Sequence, residues 1–528
     1  MRDVAVIGGG HNGLVCAAYL AAAGLDVEVL EANDDAGGCI WTEALDSGHR
    51  LERGAVDLTM IDDVVADLHL TDHGLHLLDR EILVGAGFGD GARLLFHSDL
   101  EATIDGWGGI GRADRESYRS FADLAARAVD AFDALPGVPA FGEVIRLAES
   151  LSTDVDLARL LVSSAESVIG RRIRDGHLAG AVAMYGAHGQ LPPWLPGTGL
   201  FALMLPGSHG SRSHRPRGGA GAFIDAIASA LEASGGTLRT NARVVGIDST
   251  AEGAVIRLED GEFVAARRVM SSLDIRRTVH LLGDPPPTLR SAAEAVQSGA
   301  LNIGELKIDL ALSAPATIVG GDADAALWLL QERSDSLHTS FGEIIAGRMP
   351  GSPAMMWAAP SVLDPTAAPD GGGTVWLSAF VPVRLRDRSW DGAAEEQAVD
   401  GVLDGFARIT GIDLRPITVD RRVLGPAGWE RRIGAPGGNP NHLDLTLDQL
   451  FDWRPPGARG YRTELPWLYL TGAGTFPGGG VSGLPGRNAA QALLADLGAP
   501  PRRVSRWRRE IKGLWDAFGL YRSMRRSA

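Results

Sequence analysis

Cysteine is almost absent: Cys16 and Cys39 are the only two in 528 residues, too few for a disulfide framework or a four-thiolate metal site. A reducing, cytoplasmic setting suits such a chain. Positive charge is also in short supply. Fifty basic residues face 66 acidic ones for a net charge of −16, which argues against a nucleic-acid surface running over the whole molecule. Only Lys307 and Lys512 of the basic residues are lysines, a bias of composition from which no chemistry follows. Long apolar runs are missing. The longest, Leu14 to Leu25, is 12 residues and includes Gly24, short of the roughly 20 needed to cross a bilayer. The opening Met1-Arg2-Asp3 passes straight into Val4–Ile7 and then glycines, so no signal-peptide core is expected there. H-E-x-x-H, C-x-x-C, P-loop and G-x-S-x-G patterns are absent as well. Metal, phosphoryl-transfer and serine-hydrolase chemistries therefore have no residues to rest on. What remains is a chain with 45% apolar residues, long enough for a full core and about two domains.

The first 32 residues form one pattern: an apolar strand Val4–Ile7, a glycine turn, an alanine-rich helix from about Asn12 to Ala23, Gly24 as its stop, and a strand Val27–Leu30. This is the start of a βαβ unit. From about 62 to 190 the pattern reads as largely helical, and Gly197 to Gly221 as a long loop. The βαβ character returns with a helix Ala222–Ala233 and strands Val244–Ile247, Val255–Leu258 and Val269–Ser272. The middle mixes strands (Leu306–Leu312, Val375–Val381) with helices such as Glu395–Ile409. A last strand, Trp467–Thr471, precedes a glycine loop and a helix Arg487–Leu497. The α/β chain is thus expected to hold two interleaved domains. One comprises 1–70, 215–290 and 456–501, the other 71–214 and 291–455, with a separate helix over 502–528.

Gly8-Gly9-Gly10-His11-Asn12-Gly13 has G-x-G-x-x-G spacing directly after a strand and at the start of a helix. Gly8 permits the tight turn, Gly10 lets the backbone approach a diphosphate, and Gly13 lets helix and strand pack closely. Glu31 ends the second strand, 18 residues after Gly13, where a carboxylate accepts hydrogen bonds from an adenosine ribose. Gly37-Gly38 follows, a position where FAD enzymes bring a second loop to the cofactor. At the other end Thr471 to Arg487 is dense in glycine, and Pro485 suits a first helical turn whose free N–H groups aim at a flavin ring.

Several separated motifs together resemble the phytoene desaturase and carotenoid isomerase family of FAD-dependent oxidoreductases. They are Gly10 to Leu14, Gly37-Gly38, His49 to Gly54, Pro216 to Gly219, Gly438-Asn439 with His442, Asp448-Gln449-Leu450 with Arg454-Pro455, and Gly474 to Gly483. The likeness is nearest to the branch containing the pyridine nucleotide-disulfide oxidoreductase domain protein 2, and runs from residue 1 to about 500. It implies a glutathione-reductase-like FAD domain under a substrate domain, with hydride passing from a C–H bond to flavin N5. It also implies that Gly8, Gly10, His11, Asn12, Gly13, Glu31, Gly37, Gly38, Gly472, Gly474, Gly479, Gly480 and Val481 hold FAD, with Val244 and Val245 on the adenine side. Ala473 and Phe476 depart from the family, which has acidic and histidine residues there in many members.

His442 is the favoured proton acceptor, with His188, Glu305 and Asp309 behind it; flavin and solvent alone are the alternative. Cys39 could approach the flavin, although a small buried hydrophobe suits it better. No second dinucleotide site is evident, so electrons are expected to leave to oxygen or a quinone. The expected substrate is an apolar polyene or isoprenoid. Residues 502–528 hold nine basic and two acidic residues, with an apolar stripe from Val504 to Met524. Such a helix can lie on a membrane, on the acidic body, or on a second subunit of a homo-oligomer. Two other readings stand beside this one: an amine-oxidase-like flavoenzyme, and a non-catalytic lipid-binding escort of the GDP-dissociation-inhibitor type.

Overall fold

The computed structural model describes residues 1–133, 137–151, 157–210, 214–458 and 460–499. Strand β1 (Arg2–Ile7), helix α1 (His11–Ala22) and strand β2 (Val27–Leu30) form the opening unit. β1 and β2 pair in parallel, Val4 beside Val27 and Ile7 beside Leu30. Val4–Ile7 of β1 is an unbroken apolar run and β2 is apolar except at Glu28, as suits parallel strands covered on both faces. β3 (Phe263–Ser271) lies parallel on the other side of β1, bringing Ser271 level with Ile7. Antiparallel strands Gly253–Leu258 and Val244–Thr250 extend this sheet beyond β3, and Thr237–Arg239 extends it beyond β2. Leu468–Leu470 runs along the last residues of β3. One sheet thus gathers strands from three distant stretches of chain, and the carboxyl ends of β1, β2 and β3 meet at one edge.

Helix α1 has no exposed face. Its residues from His11 to Ala21 are all buried, because the sheet lies on one side and helices Gly221–Ala233 and Leu484–Asp496 on the other. The second crossing is close: a Cβ on Gly486 would sit 2.1 Å from the Asn12 carbonyl oxygen. The carboxyl-terminal helix begins at Leu484, three residues ahead of the expected Arg487. Gly483 in the left-handed region (φ 70°) turns the chain, and Pro485 occupies the first turn, where its missing N–H costs nothing.

The second sheet is mixed, in the order Thr418–Leu424, β4 (Gly304–Leu312), Gly373–Val381, Met355–Ala358, Leu327–Gln331, Ile82–Phe88, Arg93–His97. The last two strands correct the helical reading of 62–190. Leu83–Phe88 is fully covered, and its apolar run carries no helical period. A Cβ on Gly85 would lie 2.5 Å from the Trp328 ring, so this strand presses on its neighbour where a helix could not. Within 197–221 the described residues form short 3-10 turns at Thr198–Leu203 and Pro206–Ser208, and a two-residue strand at Arg215–Pro216.

On β4 side chains alternate between faces. Leu306, Ile308 and Leu310 enter the apolar core beneath helix Gly392–Thr410. Glu305, Lys307 and Asp309 turn the other way, toward the hairpin Thr42–Ala44 and Arg50–Glu52. Arg53 donates to Asp309 at 2.8 Å, and Lys307, fully buried, pairs with the same carboxylate and lies 4.8 Å from the Trp376 ring. This ion cluster ties the chain just after the hairpin to the second sheet; removing one partner of such a cluster typically costs about 3–5 kcal/mol.

No helix among the described residues is long and apolar enough to cross a membrane. The helix expected over 502–528 lies outside the described residues.

Candidate cofactor site

A cleft opens at the carboxyl ends of β1 and β2, the place where an open α/β sheet takes its ligand. It encloses about 930 Å³, solvent at the mouth included. Gly8 stands at φ +96°, and its missing Cβ would lie 2.5 Å from Ser272 Oγ, a hydroxyl that donates to the carbonyls of Ile7 and Gly8. A Cβ on Gly13 would meet the Gly8 carbonyl oxygen at 2.1 Å. Gly10 differs: its nearest protein neighbour would be Gly38 Cα at 3.7 Å, so protein does not fill the space beside it. The first bond of α1 is Leu14 N–H to Gly10 O, and no side chain caps the helix. The preceding N–H groups and the positive end of the helix dipole remain for an anion.

Glu31 is fixed from both sides. Gly9 N–H donates to Oε2 at 2.7 Å, and the backbone and side-chain N–H groups of Asn33 donate to Oε1 at 2.9 and 2.7 Å. The carboxylate is oriented before any ligand arrives, and of its four lone-pair sites the one left on Oε2 remains for a ribose hydroxyl. His11 Nε2, Asn12 Oδ1, His442 Nδ1 and Arg432 Nη2 have no hydrogen-bond partner among the described residues, and all four residues line the cleft. A ligand with a diphosphate, a ribose and a polar chain satisfies such a set.

His11 and His442 are pushed down to about 4, in each case chiefly by burial. Asp274 opposes the shift at His442, and Arg454 and Arg276 add to it. Both rings are therefore neutral at pH 7. His442 adopts φ 62°, held by its own N–H to the Asn439 carbonyl at 2.9 Å and by Arg276 Nη2 to its carbonyl at 3.0 Å.

Of the residues expected to bind a dinucleotide, the structure brings Gly8, Gly10, His11, Asn12, Gly13, Glu31, Gly38, Val244 and Gly472 to the cleft wall, with His442 among them. Six others stand off it. Gly37 supports the wall from behind through its N–H to the Gly9 carbonyl at 2.8 Å. Val245 faces out of the sheet and is 45% exposed, since neighbours on a strand point oppositely. A Cβ on Gly474 would meet Leu443 Cδ1 at 2.9 Å, and one on Gly479 would meet Asn441 Oδ1 at 1.7 Å. Gly480 contributes a backbone hydrogen bond to His11, and Val481 is buried with its carbonyl accepting from Thr59 N–H at 3.1 Å.

The other proton-acceptor candidates part company. Asp309 is locked in the ion cluster with Arg53 and Lys307. Glu305 accepts from Ser378 Oγ at 2.6 Å, and burial raises its pKa. His188 retains accessible surface although protein surrounds it closely enough to lower its pKa. Cys39 lines the cleft, its thiol pushed up to about 11 by burial. Four arginines on the wall, Arg243, Arg277, Arg431 and Arg432, were invisible to motif reading because no fixed spacing announces them.

An α/β core with a glycine turn on a helix N-terminus, a fixed ribose acceptor and a second glycine segment closing the same cleft defines an FAD-dependent oxidoreductase. The chain belongs to the family of flavin containing amine oxidoreductases, whose model matches residues 13–494. It is 30% identical to the mouse (Mus musculus) pyridine nucleotide-disulfide oxidoreductase domain-containing protein 2 over 94% of each chain. It is 26% identical to a lycopene-forming phytoene desaturase of Pseudescherichia vulneris over 94% of this chain and 99% of that one. The likeness to the phytoene desaturases and to the named branch is thereby borne out. A putrescine oxidase structure shares the fold at TM-score 0.61 and 17% identity, covering 94% of this chain and 98% of the other.

Proposed function

We propose that the protein desaturates, or isomerises, a largely apolar polyene- or isoprenoid-like substrate. When bound, FAD supplies a hydride acceptor at its N5. The observation that carries the substrate class is the wall next to the second glycine loop. Phe476 lies 6.4 Å from Phe451, which lies 6.1 Å from Phe141. Leu445 reaches within 3.3 Å of where a Gly478 Cβ would be, and Leu447 and Phe476 pack on the same apolar cluster. A substrate on this side meets hydrocarbon. The relatives named as phytoene desaturases support the same class.

In this reading Gly8, Gly10 and Gly13 with the start of α1 seat the diphosphate, Glu31 holds the ribose, and Val244 borders the adenine. His442, neutral and on the cofactor cleft, is the proton acceptor in this reading, and His188 lies off that cleft. The division into a cofactor domain (1–70, 215–290, 456–501) and a substrate domain (71–214, 291–455) is supported by the two sheets, which draw on those stretches. Both cysteines are unpaired, which suits a cytoplasmic setting, and oxygen or a quinone would remove the electrons.

One observation favours an amine instead: the half-buried Glu305 carboxylate close enough to Cys39 to raise its thiol pKa, since a carboxylate attracts an ammonium group. Anaerobic mixing with acyclic polyenes or with primary amines separates the two. Bleaching of the flavin band by a polyene and not by benzylamine or putrescine is expected; bleaching by the amines alone overturns the proposal.

A further inference from the structure

Helix α2 (Pro426–Ile433) follows an edge strand of the second sheet, yet its last turn and Gly434 form part of the cofactor cleft. Several ties hold it to the loop after β2. Arg432 Nη1 pairs with Asp35, and Arg432 Nε donates to the Gly38 carbonyl at 3.2 Å. The same guanidinium lies 4.2 Å from the Trp41 ring, which meets Trp429 of α2 edge-on at 6.1 Å. Asn33 Nδ2 donates both to the Arg432 carbonyl at 3.2 Å and to Glu31 at 2.7 Å. Residues 431–434 and Gly38 border one cleft, so these ties form a bridge between two of its walls.

Guanidinium donors on this wall are left free. Arg432 Nη2 has no partner, and Arg277 and Arg431, both on the cleft wall, have no ion-pair or hydrogen-bond partner among the described residues. In a chain of net charge −16, Arg277 and Arg431 stand without a paired carboxylate, whereas Arg432, paired with Asp35, keeps only its Nη2 donor free. Guanidinium forks match phosphate oxygens in geometry and charge.

We propose that Arg277, Arg431 and Arg432 form a basic wall that binds the diphosphate of the cofactor, and that the Arg432 bridge must open before the cofactor enters or leaves. The proposal depends on FAD occupying this cleft and not on which substrate is oxidised.

The test is stopped-flow flavin fluorescence, for entry of FAD into cofactor-free protein and for its release on dilution. Arg432→Ala should speed both entry and release, release by about tenfold or more. Asp35→Asn, at a half-exposed side chain, should act in the same direction with smaller size, and it carries the test if Arg432→Ala fails to fold. The double variant Arg277→Ala with Arg431→Ala should raise the FAD Kd at least about tenfold and flatten its dependence on salt. Unchanged release in both bridge variants, or faster release with unchanged entry, overturns the bridge. An unchanged Kd at low salt in the double variant overturns the diphosphate role.

Discussion

The two glycine segments that reach the cofactor cleft look alike in sequence and differ in what they do. In the first, Gly10 leaves empty space beside it, whereas Gly13 is pressed on the Gly8 carbonyl. In the second, the glycines that looked most like ligand contacts are pressed on protein: Gly479 on Asn441, Gly474 on Leu443, and Gly472 on the Ser272 carbonyl. Spacing therefore marks a close approach without saying what approaches. The first segment is shaped around a ligand at one position, the second mainly around residues 441–443, and of the second only Gly472 and Ala473 border the cleft itself.

The largest effect is expected from Gly13→Ala, whose methyl group would meet backbone that cannot swing away. Overpacking of this kind costs about 1–3 kcal/mol or more, so a lowered melting temperature together with loss of flavin is expected. Next comes Glu31→Ala, which removes the ribose acceptor and frees Gly9 and Asn33. Its FAD Kd, read by fluorescence titration, should rise about tenfold or more. If this variant holds flavin as tightly as the parent, Glu31 has no ribose role. Gly479→Ala should lower stability as well, but its obstacle is a side-chain tip. Adding Asn441→Ala should restore much of the loss, and a double-mutant cycle on melting temperature measures that coupling. No such rescue is available to Gly13→Ala, and finding none for Gly479→Ala would erase the difference between the segments.

A smaller effect concerns acid. His11 and His442 sit near 4 in the folded protein against about 6.5 when unfolded. Between those values the unfolded chain binds more protons, so stability is complete above about pH 6.5 and falls as pH drops toward 4. His442→Gln should flatten part of that loss, visible as a narrower gap between melting temperatures at pH 4.5 and 7.

Much of the cofactor half was legible because its signals are local. β1, the turn, α1, β2 and Glu31 lie within 31 residues, and each follows from apolar runs, glycine and a strand-end acid. The strand Ile82–Phe88 was missed because a strand covered on both faces lacks the alternation that would expose it, and its edge partner Arg93–His97 was missed with it. Val245 was misplaced by one residue of strand parity. The arginines of the cleft were invisible because Arg431 and Arg432 reach it only when α2 returns from the second sheet to the loop after β2, the Arg432–Gly38 contact spanning about 400 residues, which no local pattern encodes. The Glu305–Lys307–Asp309 face of β4 was half visible: the residues were noted singly, while their common face needed the strand.

The most direct measurement is the flavin content and melting temperature of Gly10→Ala beside the parent protein. Protein leaves room for that methyl group and a bound diphosphate does not. The parent should take up one FAD per chain, and the variant should melt at the same temperature without cofactor while failing to retain it. A variant that binds FAD as the parent does would show that the dinucleotide lies elsewhere.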